Sequence, residues 1–226
     1  FDGYISGADI SYVSLPSNTF LGTTSSNAFG YFNLPDNLLT GVGFVKATAT
    51  GGNDIASGYA SDKTLKSIIQ NKADVYSTNT NINILTTIVT TAVENDISET
   101  TSGAEIAEKM ANFEANLKTN IGLTSLHGYS GNTSIYHDFL ANSKYNSIEI
   151  AYHHAVLICI INIIMSVQYS TFNEAILSFA NILTPSNLSS VLVEDTVNSI
   201  PGSYLDLNNV SIFISNVLGA SKYYTN

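Results

Sequence analysis

The residues best placed for chemistry are Glu149, His153 and His154, with the His137-Asp138 pair and His127 upstream. Glu149 and His153 stand four apart, so a helix through them puts carboxylate and imidazole on one face. That is half of a metal site, which His137 or His127 would have to complete. The order departs from the established zinc motifs, because no Glu follows the first His as H-E-x-x-H requires. The reading is an ion pair between Glu149 and His153 at the exposed start of a buried helix. Other chemistries have less behind them. The chain holds no G-x-S-x-G, and its glycines at 51–52 and 128–131 lack the K-[ST] that follows a phosphate loop. Glu194 and Asp195 are adjacent, so on a helix they point different ways. Cys159, in V-L-I-C-I-I, is expected to be a buried, inert thiol, and a lone cysteine allows no intrachain disulfide. No catalytic residue, cofactor-binding residue or metal ligand is assigned. The chain is read as a protein without enzymatic activity or cofactor.

Charge excludes one class of partner. The 226 residues carry eight basic side chains, all Lys, against eighteen acidic ones, a net charge of −10. Nucleic-acid binding needs clustered cations to displace counterions, and none are available to cluster. The polar surface must be built from Asn, Ser, Thr and Tyr, which suits proteins outside cells or within assemblies. Three sequons, at Asn132, Asn187 and Asn209, are expected by chance in so Asn-rich a chain, and their glycosylation stays open. The chain opens on Phe1 with no basic n-region, as expected of a mature chain whose leader has been removed or of a cut boundary.

Patterning predicts an α+β chain: an N-terminal antiparallel β-sandwich over 1–80, followed by an α-helical bundle over 81–226. Strands are expected at Asp2–Ser14 with a kink near Gly7, at Thr19–Thr24, at Phe29–Leu34 and at Val42–Thr50, with Gly51–Asp54 as a turn. Asn81–Val93 is the pivot. Ile82, Leu85, Ile88, Val89 and Val93 recur at helical spacing, and Asn81 or Asn83 can cap the first turn. This helix is expected to dock back onto the strands. Ser102-x-x-Glu105 is a capping box opening a helix to about Lys118, with Ile106, Met110, Phe113 and Leu117 as its apolar stripe. Thr171-x-x-Glu174 is a second capping box. Ser147–Gln168 is expected as the central helix, its segment Ala155–Val167 buried on every side. That segment is shorter than the about 20 apolar residues of a membrane span, so no transmembrane helix is assigned.

The first 93 residues carry a resemblance. D-G-Y-I-S-G-A-D-I at Asp2–Ile10 and T-S-S-N-A-F-G-Y-F-N-L at Thr24–Leu34 are similar to the transthyretin-like, or carboxypeptidase-regulatory-like, sandwich and its B-type repeats. G-G-N-D-I-A-S-G at Gly51–Gly58, then I-L-T-T-I-V at Ile84–Val89, resembles the continuation found in large surface proteins of environmental bacteria and some large viruses. The resemblance implies a structural surface module without catalytic activity. An acidic, calcium-like loop present in many such domains is replaced here by S-L-P-S-N-T-F-L-G, which has no carboxylate, and calcium needs several. Asp2, Asp9 and Asp54 are read as solvated turn aspartates.

These readings lead to a structural subunit of an extracellular or virion-surface assembly, a fibre, filament, sheath or tube, whose partners are copies of itself. The N-terminal strand Phe1–Ser14 and the tyrosine-bearing tail at 221–226 are the expected contact segments. The alternative is an adhesion module whose exposed tyrosines stack on glycans.

Overall fold

The computed structural model describes residues 4–33, 41–55, 58–71, 81–120, 134–136, 171, 173–174 and 176–177. The chain forms two compact units: Asp2–Glu114 with Ile135–His137, and Phe1 with Ala115–Ser134 and Asp138–Asn226. The first unit holds two antiparallel sheets and the helix that follows them, an α+β arrangement. One sheet pairs β1 (Ile5–Ser6) with β5 (Asn53–Asp54). The other has the order β3-β2-β4-β6, from β2 (Asp9–Leu15), β3 (Phe20–Ser25), β4 (Phe44–Thr50) and β6 (Thr64–Gln70).

Gly7 supplies the expected break between β1 and β2 with a φ of 69°. Ser26 repairs the hydrogen bonding across that break. Its hydroxyl donates to Ile5 O at 2.6 Å and accepts from Ala8 N–H at 2.9 Å, while its own N–H donates to Ala8 O. Beyond it, register sorts the side chains into two faces. Tyr12 stands opposite Gly22 and Ala47, Val45 opposite Ser14 and Ile69, and Ile10 opposite Ala49. Ile10, Tyr12, Val45, Ala47 and Ile69 therefore share one face and form a buried cluster, joined by Leu21, Phe32, Val42 and Ile82. Burial pushes the Tyr12 hydroxyl up to about 12, and it donates to Asn33 O.

Helix α1 (Ile84–Asp96) starts at Asn83, the second of the two expected caps. The Asn83 carboxamide accepts from Thr86 N–H and the Thr86 hydroxyl accepts from Asn83 N–H, each at 2.9 Å. Every residue from Ile84 to Val93 is buried, the four threonines included, so α1 is apolar on one stripe in sequence yet enclosed on all sides. It docks along β6 as expected. Thr87 accepts the Lys66 N–H at 2.9 Å, and Thr86 donates to the Lys66 carbonyl at 2.8 Å. Helix α2 (Gly103–Asn120) begins at the expected capping box, with Ser102 N–H donating to Glu105 at 2.7 Å and Glu105 N–H donating to the Ser102 hydroxyl. Ile106, Phe113 and Leu117 of its stripe are buried. In the second unit, Thr171 and Glu174 make the other capping box. The central helix expected at Ser147–Gln168 lies outside the described residues, as does the tail 221–226.

Several expectations are corrected. No strand forms over Phe29–Asn33, where a side chain takes the backbone N–H groups that a ladder would use. Gly51–Asp54 is not only a turn, since Asn53 and Asp54 pair with β1. Strand β6 was not expected at all. Strand β2 lies between β3 and β4 with both edges bonded, so residues 9–15 cannot offer an edge to a neighbour; among the described residues β3 is the terminal strand instead.

If the Thr87 hydroxyl closes the β6 edge, Thr87→Val should leave the Lys66 N–H buried without its acceptor and lower stability by about 1–3 kcal/mol. Hydrogen exchange should show the Lys66 amide losing protection while amides of β2 keep theirs. Unchanged protection at Lys66 would refute the edge closure.

Candidate functional site

Three features of the described residues stand apart from ordinary core packing: an ion cluster, an uncovered strand edge and an aromatic end.

The ion cluster draws two of the chain's eight lysines to one carboxylate. Lys46 on β4 and Lys66 on β6 lie on the sheet face opposite the Tyr12 cluster, and both reach Glu94 near the end of α1. Lys66 Nζ donates to Glu94 Oε2 at 2.7 Å, and Lys46 Nζ donates to Oε1. Burial alone would raise the Glu94 carboxyl, but the hydrogen bonds and charges of the two lysines outweigh it and hold the group below its usual range. Both oxygens are occupied and the group is held ionised, so it is a poor general base near neutral pH. The cluster ties helix to sheet.

The uncovered edge is β3. It pairs with β2 from Asp9↔Ser25 to Val13↔Phe20, with a register shift between Tyr12 and Val13. No strand lies on its far side among the described residues. Its sequence, F-L-G-T-T-S, carries no charge and no proline, and Phe20 is 65% exposed.

The aromatic end lies where β2 and β6 begin and β3 and β4 finish. Asn27 builds it. Its side-chain oxygen accepts from Phe29 N–H at 2.8 Å and Tyr31 N–H at 3.0 Å, while its backbone N–H donates to Tyr31 O and its carbonyl accepts from Gly30 N–H. The closed loop leaves Phe29 69% and Tyr31 57% exposed, and sets the Tyr31 ring 5.7 Å from that of Tyr4, tilted by 44°. Two glycines permit the close fit around β1. A Cβ on Gly30 would stand 2.7 Å from Tyr4 Cβ, and one on Gly52 would stand 2.7 Å from Ala8 N and Ser6 O. Both have positive φ, 78° and 81°. On the far side of β1, Ile55 N–H donates to Tyr4 O and Asp54 N–H donates to Tyr59 O, bringing Tyr59, 78% exposed, to the same end.

The residues singled out for chemistry in sequence are distributed differently. Glu149, His153, His154, His137, Asp138, His127, Cys159, Glu194, Asp195 and the sequons Asn132, Asn187 and Asn209 lie outside the described residues, as does Asp2. Asp9 and Asp54 belong to different sheets: Asp9 accepts from the Ser25 hydroxyl at 3.1 Å, and Asp54 is buried in β5, so it is not a solvated turn residue. Among the described residues no three His, Cys, Asp or Glu side chains come together as a metal site, and no helix is long and apolar enough to cross a membrane. Glu94 and Asn27 were missed in sequence. Lysines interrupting two otherwise apolar strands were the available signal for a buried carboxylate partner. Comparison of the chain with protein-family models, curated proteins and solved structures finds no match.

Because Glu94 is ionised more readily in the fold than outside it, its contribution is present above the unfolded value and lost as pH falls through the lower folded value. Glu94→Gln should therefore cost about 1–3 kcal/mol at neutral pH. The gap to the parent should close in acid, below the ordinary carboxylate value of 4.5. Denaturant midpoints for both proteins across that range measure it; a gap independent of pH would contradict the assignment.

Proposed function

We propose that this chain is a non-catalytic structural subunit of an extracellular or virion-surface assembly, growing by association of copies into a fibre, filament, sheath or tube. The two antiparallel sheets are taken as a transthyretin-like sandwich, and the helices from α1 onward as a bundle packed on it. The observation that carries the reading is the contrast between the two ends of the four-stranded sheet. At β6 the threonines of α1 occupy the backbone groups of Lys66. At β3 nothing among the described residues does so, and the strand lacks the charged or proline residues that ordinarily keep such an edge from pairing with another chain. A neighbour's strand added there would satisfy the outward N–H and C=O groups and cover Phe20.

The exterior supports the same reading. Only 12% of residues are charged, so desolvating the surface against a copy strips few ions. The net charge of −10 opposes association, but salt at about 0.1 M screens it beyond about 10 Å. Sedimentation velocity should find the native chain in oligomers or larger particles, and Thr23→Lys should shift it to monomer without changing its circular dichroism or unfolding midpoint. A native chain that stays monomeric from dilute to concentrated solution, at low and high salt, would overturn the proposal.

A further inference from the structure

We infer that the end of the sheets formed by Tyr4, Phe29, Tyr31 and Tyr59 is a binding site for a neutral polysaccharide chain. Exposed aromatic side chains are ordinarily mobile or scattered. Here Phe29 and Tyr31 stand on a loop closed by four hydrogen bonds to the single residue Asn27, so the backbone that carries them is set before anything binds. Tyr31 is braced by the Tyr4 ring, and Tyr4 in turn is fixed by the Gly30 approach on one side and the Ile55 hydrogen bond on the other. Rigid, amphipathic rings give contact area at little entropic cost, with an apolar face and, on tyrosine, a polar tip. A pyranose presents the matching pattern, with C–H groups across one face and hydroxyls around its rim.

The surrounding residues choose the ligand's charge. The segments at this end, 26–33, 51–55 and 58–63, contribute amides and hydroxyls, among them Ser26, Asn27, Asn33 and Asn53, and a single lysine, Lys63, whose largely buried side chain lies 3.9 Å from the exposed carboxylate of Asp62. Of the carboxylates at this end, Asp54 is buried, while Asp9 at the start of β2 and Asp62 are exposed. An anionic glycan or a nucleic acid would meet a protein of net charge −10, with exposed carboxylates at this end and its one lysine already beside Asp62. A neutral chain pays no such penalty. The aromatic end begins just beyond Ser25, at the opposite end of β3 from the exposed Phe20.

Affinity electrophoresis of the full chain tests this, in native gels cast with the neutral polysaccharides mannan and hydroxyethyl cellulose and with the anionic polysaccharide alginate. The chain should be retarded by at least one neutral polysaccharide and not by alginate. Tyr31→Ala and Tyr59→Ala should each weaken retardation by about tenfold, Tyr31→Phe should retain most of it, and Thr23→Lys should leave it intact. Retardation by neither neutral polysaccharide would overturn the inference, as would full retardation of the Tyr31→Ala/Tyr59→Ala double variant. If that double variant instead changes the sedimentation of the chain and not its retardation, the surface is a contact between copies and the inference also fails.

Discussion

The backbone of Lys66 sets the limit on what this sheet can be. A strand at the end of a sheet leaves its outward N–H and C=O groups without partners, and burying them unpaired costs about as much as a lost hydrogen bond each. The chain satisfies Lys66 with the hydroxyls of Thr86 and Thr87, which places the first turn of α1 against β6 and so determines where the helix begins. Those hydroxyls also engage the backbone of Asn83, the N-cap residue, so helix start and sheet edge are one hydrogen-bonded unit. Asn83 extends it further by donating from its carboxamide to the carbonyl of Ile135, whose own N–H is taken by Glu114 of α2. At the other end of α1, Glu94 holds Lys46 and Lys66 together. One helix is thus fixed to the sheet at both ends by polar contacts, while its aliphatic residues supply the burial between them.

This explains which parts of the fold were readable in sequence. Elements whose local chemistry and burial agree were legible: β2 and β3 on either side of a Pro16-Ser17 turn, β4, the caps at Asn83, Ser102 and Thr171, and the stripe of α2. Strand β6 was not, because its period is disguised. Ser67 sits on the buried face beside Ala47, and Ile68 faces the helix side next to Lys66. A strand covered on both faces needs no alternation, and this one has almost none. The burial of Thr86, Thr87, Thr90 and Thr91 was hidden for a related reason. Threonine reads as polar in a pattern, yet inside a helix its hydroxyl can bond back to the carbonyl three or four residues earlier, as Thr87 does to Asn83 at 2.6 Å.

The candidate surfaces were less legible than the fold. Phe29-Gly30-Tyr31-Phe32 has the composition of a strand, and only the competition from Asn27 turns it into a display loop. A sequence pattern registers that Asn lies nearby but not that its oxygen captures the N–H groups two and four residues further along the chain. The same difficulty applies to Asp54, where the turn-like G-G-N-D conceals a two-residue pairing with β1 that buries the side chain.

Scarcity of charge links these features. With eight lysines for eighteen acids, a chain has few ion pairs to distribute, and two of those lysines are committed to Glu94. Elsewhere hydroxyls and amides do the work that charges often do. Serine bridges the Gly7 break, threonine closes the β6 edge, and asparagine caps α1 and closes the aromatic loop. Such groups form hydrogen bonds without the large desolvation cost of an ion, so they can be buried within the fold, and they can equally be covered by something outside it. A surface made this way resists association less than one rich in lysine and glutamate. Protection of an exposed edge must then come from covering it, as α1 does at β6; at β3 neither charge nor proline stands in for a cover, and no strand lies beyond it among the described residues.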